Sequence, residues 1–196
     1  MSDITGVLLA AGRSQRFGGN KLLSVIDGIP MIMHAAASLT ACDNLLAVVR
    51  PDDDMLQQLL ADNSIEFVTN ALADQGLGSS IACALSANRK AAGWCLLPAD
   101  MPFVKPLTTS GLVDALKQGH AIAAPYHDGK RGHPVGFSQE MANELLTLDG
   151  TSGARQVIAD NQHRLLKLET QDEGVLIDID TPEDLLLRTM QSNLVS

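Results

Sequence analysis

Basic residues are in short supply: 14 Lys and Arg stand against 23 Asp and Glu, for a formal net charge of −9 over 196 residues. A field of that sign repels polyanions, which excludes non-specific binding to nucleic acid or to an anionic membrane. Any phosphate the chain binds must be held by a local cluster. Cysteine is also scarce. Cys42, Cys83 and Cys95 are odd in number, sit in apolar surroundings and lack Cys-x-x-Cys spacing, which excludes a zinc ribbon and fits buried thiols in a reducing compartment better than a disulfide framework. No apolar run nears the roughly eighteen residues of a membrane span, and the first apolar run follows Met1-Ser2-Asp3 without a basic leader. The expectation is a cytoplasmic protein with no membrane partner and no nucleic-acid partner. Low-complexity tracts are missing too, so with 45% hydrophobic residues the chain reads as one globular domain spanning residues 1–196.

Short apolar runs alternate with segments of helical period. Ile4–Ala11, Leu45–Val49, Ile65–Val68, Trp94–Leu97, Ala121–Ala124 and Val135–Phe137 read as strands. Helices are predicted from Pro30, as first helical residue, to Ala41, from Pro51 through Leu60, over Ser79–Arg89 and over Pro106–Lys117. Strand and helix in alternation imply βαβ units. The expected fold is α/β, a Rossmann-like three-layer αβα sandwich with a mainly parallel central sheet. Ligands of such sheets sit beyond the carboxyl ends of the strands, which directs attention to residues 10–21, 70–79 and 98–105.

The first of these loops carries "LLAAGRSQRFGGNKLL", residues 8–23. Gly12, Gly18 and Gly19 let successive N–H groups converge on an anion, while Arg13, Arg16 and Lys21 add permanent charge. The loop suits a polyphosphate, the alternative being a flexible surface connection. It is not a Walker A loop, because Leu22 follows Lys21 where Ser or Thr is needed, and it lacks the Gly-x-Gly-x-x-Gly dinucleotide pattern.

That stretch resembles the signature of the MobA-like nucleotidyltransferases, L-A-A/G-G-x-S-x-R-M/F-G-x-x-K. "LPADMPFV", "RGHPVGF" and "IDIDTPEDL" match the same family in order, so the likeness runs over nearly the whole chain. Ala10-Ala11-Gly12 is similar to the cytidylyltransferase branch, where the guanylyltransferases have Ala-Gly-Gly. The resemblance implies CTP as nucleotide and a molybdopterin-type phosphate as acceptor. A molybdoenzyme or its maturation chaperone would then receive the product. A sugar or polyol phosphate acceptor, another nucleotide, or nucleotide binding without turnover are the alternatives.

Carried onto this chain, the resemblance places the nucleotide on Leu9, Ala10, Ala11, Gly12 and Arg13 and on Gly78, Ser79 and Ser80. The "DQGLGSS" run is equally explained by a capped helix entry. Arg16, Lys21 and Asp100 are the expected catalytic residues. Mg²⁺ is the expected cofactor, since at triphosphates it takes one or two carboxylates plus phosphate oxygens and water. Asp100 ends a strand just where such a ligand belongs, although a turn aspartate is common there as well. The resemblance makes Asp180 the second metal ligand in preference to Asp178, which would share its side of an extended strand; Thr181 or Asp180 also suits a helix cap.

His133, in Gly132-His133-Pro134, and Arg155 are implied on the acceptor side. His127 and His133 flank "DGKRG" but have no Cys or third His to complete a metal site. Asp52, Asp53 and Asp54 read as a helix start, His34 as a helix-face residue and Trp94 as core. One departure stands out: where the family has Gly-Asp-x-Gly-Ala-Arg, the chain reads Gly150-Thr151-Ser152-Gly153-Ala154-Arg155, without the acid.

Overall fold

The six apolar runs become strands because helices cover them on both sides, and an extended segment with both faces buried must find its hydrogen bonds in neighbouring strands. The computed structural model describes residues 3–14, 17–148 and 153–192. Its strands are β1 (Ile4–Leu9), β2 (Val25–Ile26), β3 (Ile29–Pro30), β4 (Asn44–Val49), β5 (Glu66–Thr69), β6 (Gly93–Pro98), β7 (Ile122–His127), β8 (Lys130–Arg131), β9 (Val135–Ser138) and β10 (Leu165–Glu169). The helices are α1 (Met31–Ser38), α2 (Asp54–Asp62), α3 (Leu77–Ala87), α4 (Pro106–Lys117), α5 (Ala142–Leu146), α6 (Ala154–Asp160) and α7 (Pro182–Ser192). None of these helices is long and apolar enough to cross a membrane.

The main sheet runs β10-β7-β9-β6-β1-β4-β5, with β8 paired to β7, while β2 and β3 form a separate hairpin. β1 lies parallel to β4 and β6, β4 to β5, and β10 to β7. β9 is antiparallel to both β6 and β7, and the two-residue β8 is antiparallel to β7. The fold is thus the expected three-layer sandwich with a mostly parallel sheet.

Alternation along β1 sends Ile4 and Leu8 to one face and Val7 and Leu9 to the other. The first face packs on Met31, Ile32 and Ala35 of α1, Leu56 and Leu60 of α2, and Leu112 and Val113 of α4. The second packs on Ile81, Ala84 and Leu85 of α3, Leu145 of α5, and Val157 and Ile158 of α6, with Trp94 buried among them. Of the cysteines, only Cys95 is fully buried; Cys42 and Cys83 are partly exposed.

Several boundaries depart from the sequence reading. Pro30 precedes α1 and pairs with Val25 in the hairpin, so it is not the first helical residue. α1 stops at Ser38, and α3 begins at Leu77, two residues ahead of the expected start, so Ser79 lies inside its first turn. β1 ends at Leu9; Ala10 continues its path by donating to the Val48 carbonyl at 2.9 Å. Residues 177–180 form no strand. Instead they are stitched across the sheet edge: Ile179 N–H donates to the Asp100 carbonyl at 3.0 Å and His133 N–H to that of Val175 at 2.9 Å. Gly174 leans on the Phe103 carbonyl and Gly132 on Val175 so closely that neither position has room for a Cβ.

Candidate active site

The carboxyl ends of β1, β4 and β6 open into two adjoining depressions that share Ala11, Gly12 and Ala73. One is a cleft of ≈ 530 Å³ whose walls include Leu9, Ser80, Pro98, Asp100, Arg131, His133 and Asp178. The other, ≈ 580 Å³, is lined by Arg13, Ser14, Lys21, Arg50, Asp74 and Asp180. A larger groove of ≈ 710 Å³ lies at the opposite edge, beside Thr5, Asn44 and Asn88, away from all of these groups.

Lys21 sits on the boundary between the two depressions. It opens a one-turn 3-10 helix (Lys21–Leu23) whose Leu22 is buried in the core, and this anchors the lysine stem under the sheet edge. Its Nζ donates to Asp100 Oδ2 at 2.7 Å, to the Ile179 carbonyl at 2.9 Å and to Asp180 Oδ1 at 3.2 Å. Burial, the largest single influence on the ammonium, works against its charge, yet Asp100 and Asp180 together outweigh it and raise the Lys21 pKa. Asp180 sits just ahead of α7, where Asp184 Oδ2 accepts from the N–H groups of Asp180 and Thr181, while Thr181 Oγ1 accepts from Asp184 N–H. That reciprocal cap fixes the backbone of the second carboxylate.

A second ion cluster lines the shallower side. Asp74 takes Arg13 Nε at 2.7 Å and Arg50 Nη1 at 2.9 Å, and Arg50 Nε reaches Asp52 at 3.2 Å. The Arg13 guanidinium, then that of Arg50, hold the Asp74 carboxyl well below the usual carboxylate range. The phosphate-type loop is tied down from the other end by Asn20, whose Nδ2 donates to both oxygens of Asp53 at 2.8 Å, while Asp53 caps α2 through Leu56 N–H. Of the three loop glycines singled out in the sequence, Gly18 takes a left-handed conformation, at φ +75°. Ser14 does so as well, at φ +49°.

In the cleft, His133 Nδ1 is buried without a hydrogen-bond partner among the described residues. Burial, reinforced by Arg131, pushes the His133 pKa down to about 4, so the ring is neutral near pH 7. It offers a directional hydrogen bond there, not a positive charge.

The structure therefore gathers Leu9, Ala11, Gly12, Ser80, Asp100 and His133 in one cleft and Arg13, Lys21 and Asp180 beside it. Ala10 is buried in the core beneath. Ser79 turns inward, donating to the Leu72 and Gly76 carbonyls at 2.9 and 2.8 Å, and Gly78 is buried behind Gly76 and Leu77, which take its place in the lining. Arg155 is exposed on α6 and does not line the cleft. Arg16 and the Gly150–Ser152 departure lie outside the described residues. Asp178 and Asp180 do not share a side: Asp178 lines the cleft and Asp180 the neighbouring depression. Arg50, Asp74 and Arg131 were not singled out by sequence reasoning. Position alone could have found Arg50, the first residue after β4 at the sheet edge where ligands bind.

Two carboxylate oxygens aimed at one cation position suit a small hard ion such as Mg²⁺ or Mn²⁺, which draws its remaining ligands from phosphate and water. Among the described residues no group of three or more His, Cys, Asp or Glu converges into an all-protein metal cage.

Comparison with known proteins identifies the family. The chain is 29% identical to the purine catabolism protein PucB of Bacillus subtilis, over 95% of this chain and 97% of that one. It is 26% identical to the molybdenum cofactor cytidylyltransferase of Escherichia coli, covering 95% of each. Against the molybdenum cofactor guanylyltransferase of Cupriavidus pinatubonensis it is 28% identical, over 93% and 94%. Among solved structures, Rv0371c of Mycobacterium tuberculosis in complex with manganese superposes with a TM-score of 0.77 at 25% identity, over 97% of this chain and 99% of that one. The model of the MobA-like NTP transferase domain matches residues 6–166, and the chain belongs to that family.

Proposed function

We propose that the protein transfers CMP from CTP to the phosphate of a molybdopterin-type acceptor and releases pyrophosphate. The observation that carries this reading is the Lys21–Asp100–Asp180 junction, set between a cationic depression and a deeper cleft. A two-substrate transfer needs two adjoining spaces and a charge-neutralising centre where they meet.

In this reading the triphosphate lies against Gly12, Arg13, Lys21 and Arg50, with the nucleoside on the Leu9, Ala11 and Ser80 wall. Arg131 and neutral His133 face the acceptor. The acceptor's phosphate oxygen attacks the α-phosphorus, the bond from that phosphorus to the bridging oxygen of the β-phosphate breaks, and pyrophosphate departs. No protein nucleophile is needed, so alignment and charge supply the rate. Asp100 and Asp180 would hold Mg²⁺, which supplies neutralisation of the phosphate oxygens. Lys21 and the loop cations steady the leaving pyrophosphate. The preference for CTP rests on Ala11, whose methyl group narrows the space beside the base relative to glycine. Arg155, exposed on α6, and Arg16 remain part of the proposed machinery as acceptor and phosphate contacts.

Pyrophosphate release, measured with CTP and GTP in turn and with molybdopterin, sugar-phosphate and polyol-phosphate acceptors, tests the reading. CTP with molybdopterin should give the highest kcat/KM. GTP preferred over CTP would overturn the base assignment; release with a sugar or polyol phosphate alone would overturn the acceptor.

A further inference from the structure

An ammonium group has three N–H donors, and all three of Lys21 are spent: one on Asp100, one on Asp180, one on the Ile179 carbonyl. While it stands there, Lys21 has no donor left for a phosphate oxygen. The same two carboxylate oxygens are the ones a divalent cation would need, at about 2.0–2.1 Å for Mg²⁺. An ammonium nitrogen 2.7 Å from Asp100 and 3.2 Å from Asp180 stands in that ion's way, and the two positive charges repel at such range.

We propose that the Lys21 ammonium and the divalent cation are mutually exclusive occupants of the Asp100–Asp180 pair, and that nucleotide phosphate decides between them by drawing Lys21 away. This rests on the nucleotidyltransferase reading and extends it to the order of binding. The lysine carries four rotatable carbons on an anchored backbone, and it borders the depression that also holds Arg13 and Arg50. A triphosphate seated there offers Lys21 new acceptors on the open side. The carboxylates it leaves then accept the metal, so metal and nucleotide load together and each raises the affinity for the other.

The test is Mn²⁺ binding followed by electron paramagnetic resonance, with the full chain and a non-hydrolysable CTP analogue. Wild-type protein with Mn²⁺ alone should bind it at least about tenfold more weakly than in the presence of the analogue, a coupling of ordinary size between two sites. Lys21→Met, which keeps the stem and removes the charge, should bind Mn²⁺ without the analogue and lose most of that coupling. Lys21→Arg, which keeps the charge, should behave like the wild type. Equal Mn²⁺ affinity for wild type and Lys21→Met without nucleotide would overturn exclusivity, as would wild-type binding that the analogue does not strengthen. If Lys21→Met does not fold, Lys21→Gln, equally uncharged, takes its place in the same comparison. The underlying reading fails differently: Mn²⁺ coupling would then be present with no pyrophosphate release from any nucleotide and acceptor pair.

Discussion

The two ion clusters at the sheet edge use the same chemistry in opposite surroundings. Around Lys21 the side chains are 10% exposed for the lysine, 23% for Asp100 and 29% for Asp180. Around Asp74 they are 57% exposed for the aspartate and 51% for Arg13, with Arg50 more enclosed at 14%. The first cluster is held by backbone on every side: the Ile179 carbonyl accepts from the lysine, and the Asp180 backbone is capped by Asp184. The second is held mainly by its own side chains. A partly buried pairing keeps most of its Coulomb energy, while an exposed one is diluted by water and salt. The difference teaches which cluster can change partners cheaply. The exposed Arg13–Asp74 pair is cheap to break, whereas the enclosed Lys21 cluster holds its partners more firmly.

The strongest way to break the inner cluster is Asp100→Asn. It keeps the size of the side chain and one acceptor for Lys21, so circular dichroism should be unchanged while turnover falls by about a thousandfold, at the upper end of what a single electrostatic contact contributes. Near-normal turnover in this variant would remove Asp100 from the mechanism. Lys21→Ala should cost about a hundredfold in kcat with a smaller change in the KM for CTP, because the proposed phosphate contact would matter most as pyrophosphate leaves. A change confined to KM would place Lys21 in ground-state binding only.

A pH scan separates the cleft from the outer cluster. The folded pKa of His133 lies near 4, below the unfolded value near 6.5. The unfolded chain therefore binds the extra proton first as pH falls. Stability contributed by neutral His133 is complete above pH 6.5 and is lost progressively down to about pH 4, at no more than about 1.4 kcal/mol per pH unit. Asp74 is held below the ordinary carboxylate range by Arg13, so the outer cluster keeps its charge through that window. Denaturant midpoints measured from pH 7.5 to 4 should fall less steeply for His133→Gln than for the wild type; parallel curves would contradict a buried neutral ring.

The smallest effect is expected from Asp74→Asn. It releases Arg13 and Arg50 from their internal counter-ion and should tighten CTP binding a few-fold at low salt, with kcat unchanged and the gain fading as salt rises. Weaker binding would mean that Asp74 orients the arginines for the phosphate and does not compete with it.

Much of the frame was legible because it follows from period and punctuation. Buried parallel strands read as unbroken apolar runs, and Pro106 marks the start of α4 by its missing N–H. β10 was missed because Leu165–Glu169 is an edge strand with half-exposed residues, where Lys167 covers the Tyr126 ring 5.1 Å away and no continuous apolar run is needed. The antiparallel insertion of β9 was equally invisible, since the period of a strand does not encode its direction. Within the site, Lys21 and Asp100 stood in local patterns that named them. Arg50, Asp74 and Arg131 are ordinary polar residues in sequence, and only the topology brings them to one edge. Asp178 and Asp180 show the converse failure: the spacing rule for strands put them on one side, but 177–180 is an irregular stretch, and they face different depressions.

The stitching of residues 174–180 across the sheet edge also sets a schedule for the protein's birth. Lys21 and Asp100 leave the ribosome early, and the strands between them begin to pair as synthesis proceeds from the N-terminus. Asp180 follows 159 residues after the lysine it pairs with, together with the Ile179 carbonyl and the Asp184 cap. A nascent or prematurely terminated chain lacking that segment carries Lys21 with one of its two carboxylate partners missing. If the proposed function holds, such fragments would keep the cationic loop yet lack the second carboxylate, so translation of residues 174–184 is the step that would complete the site.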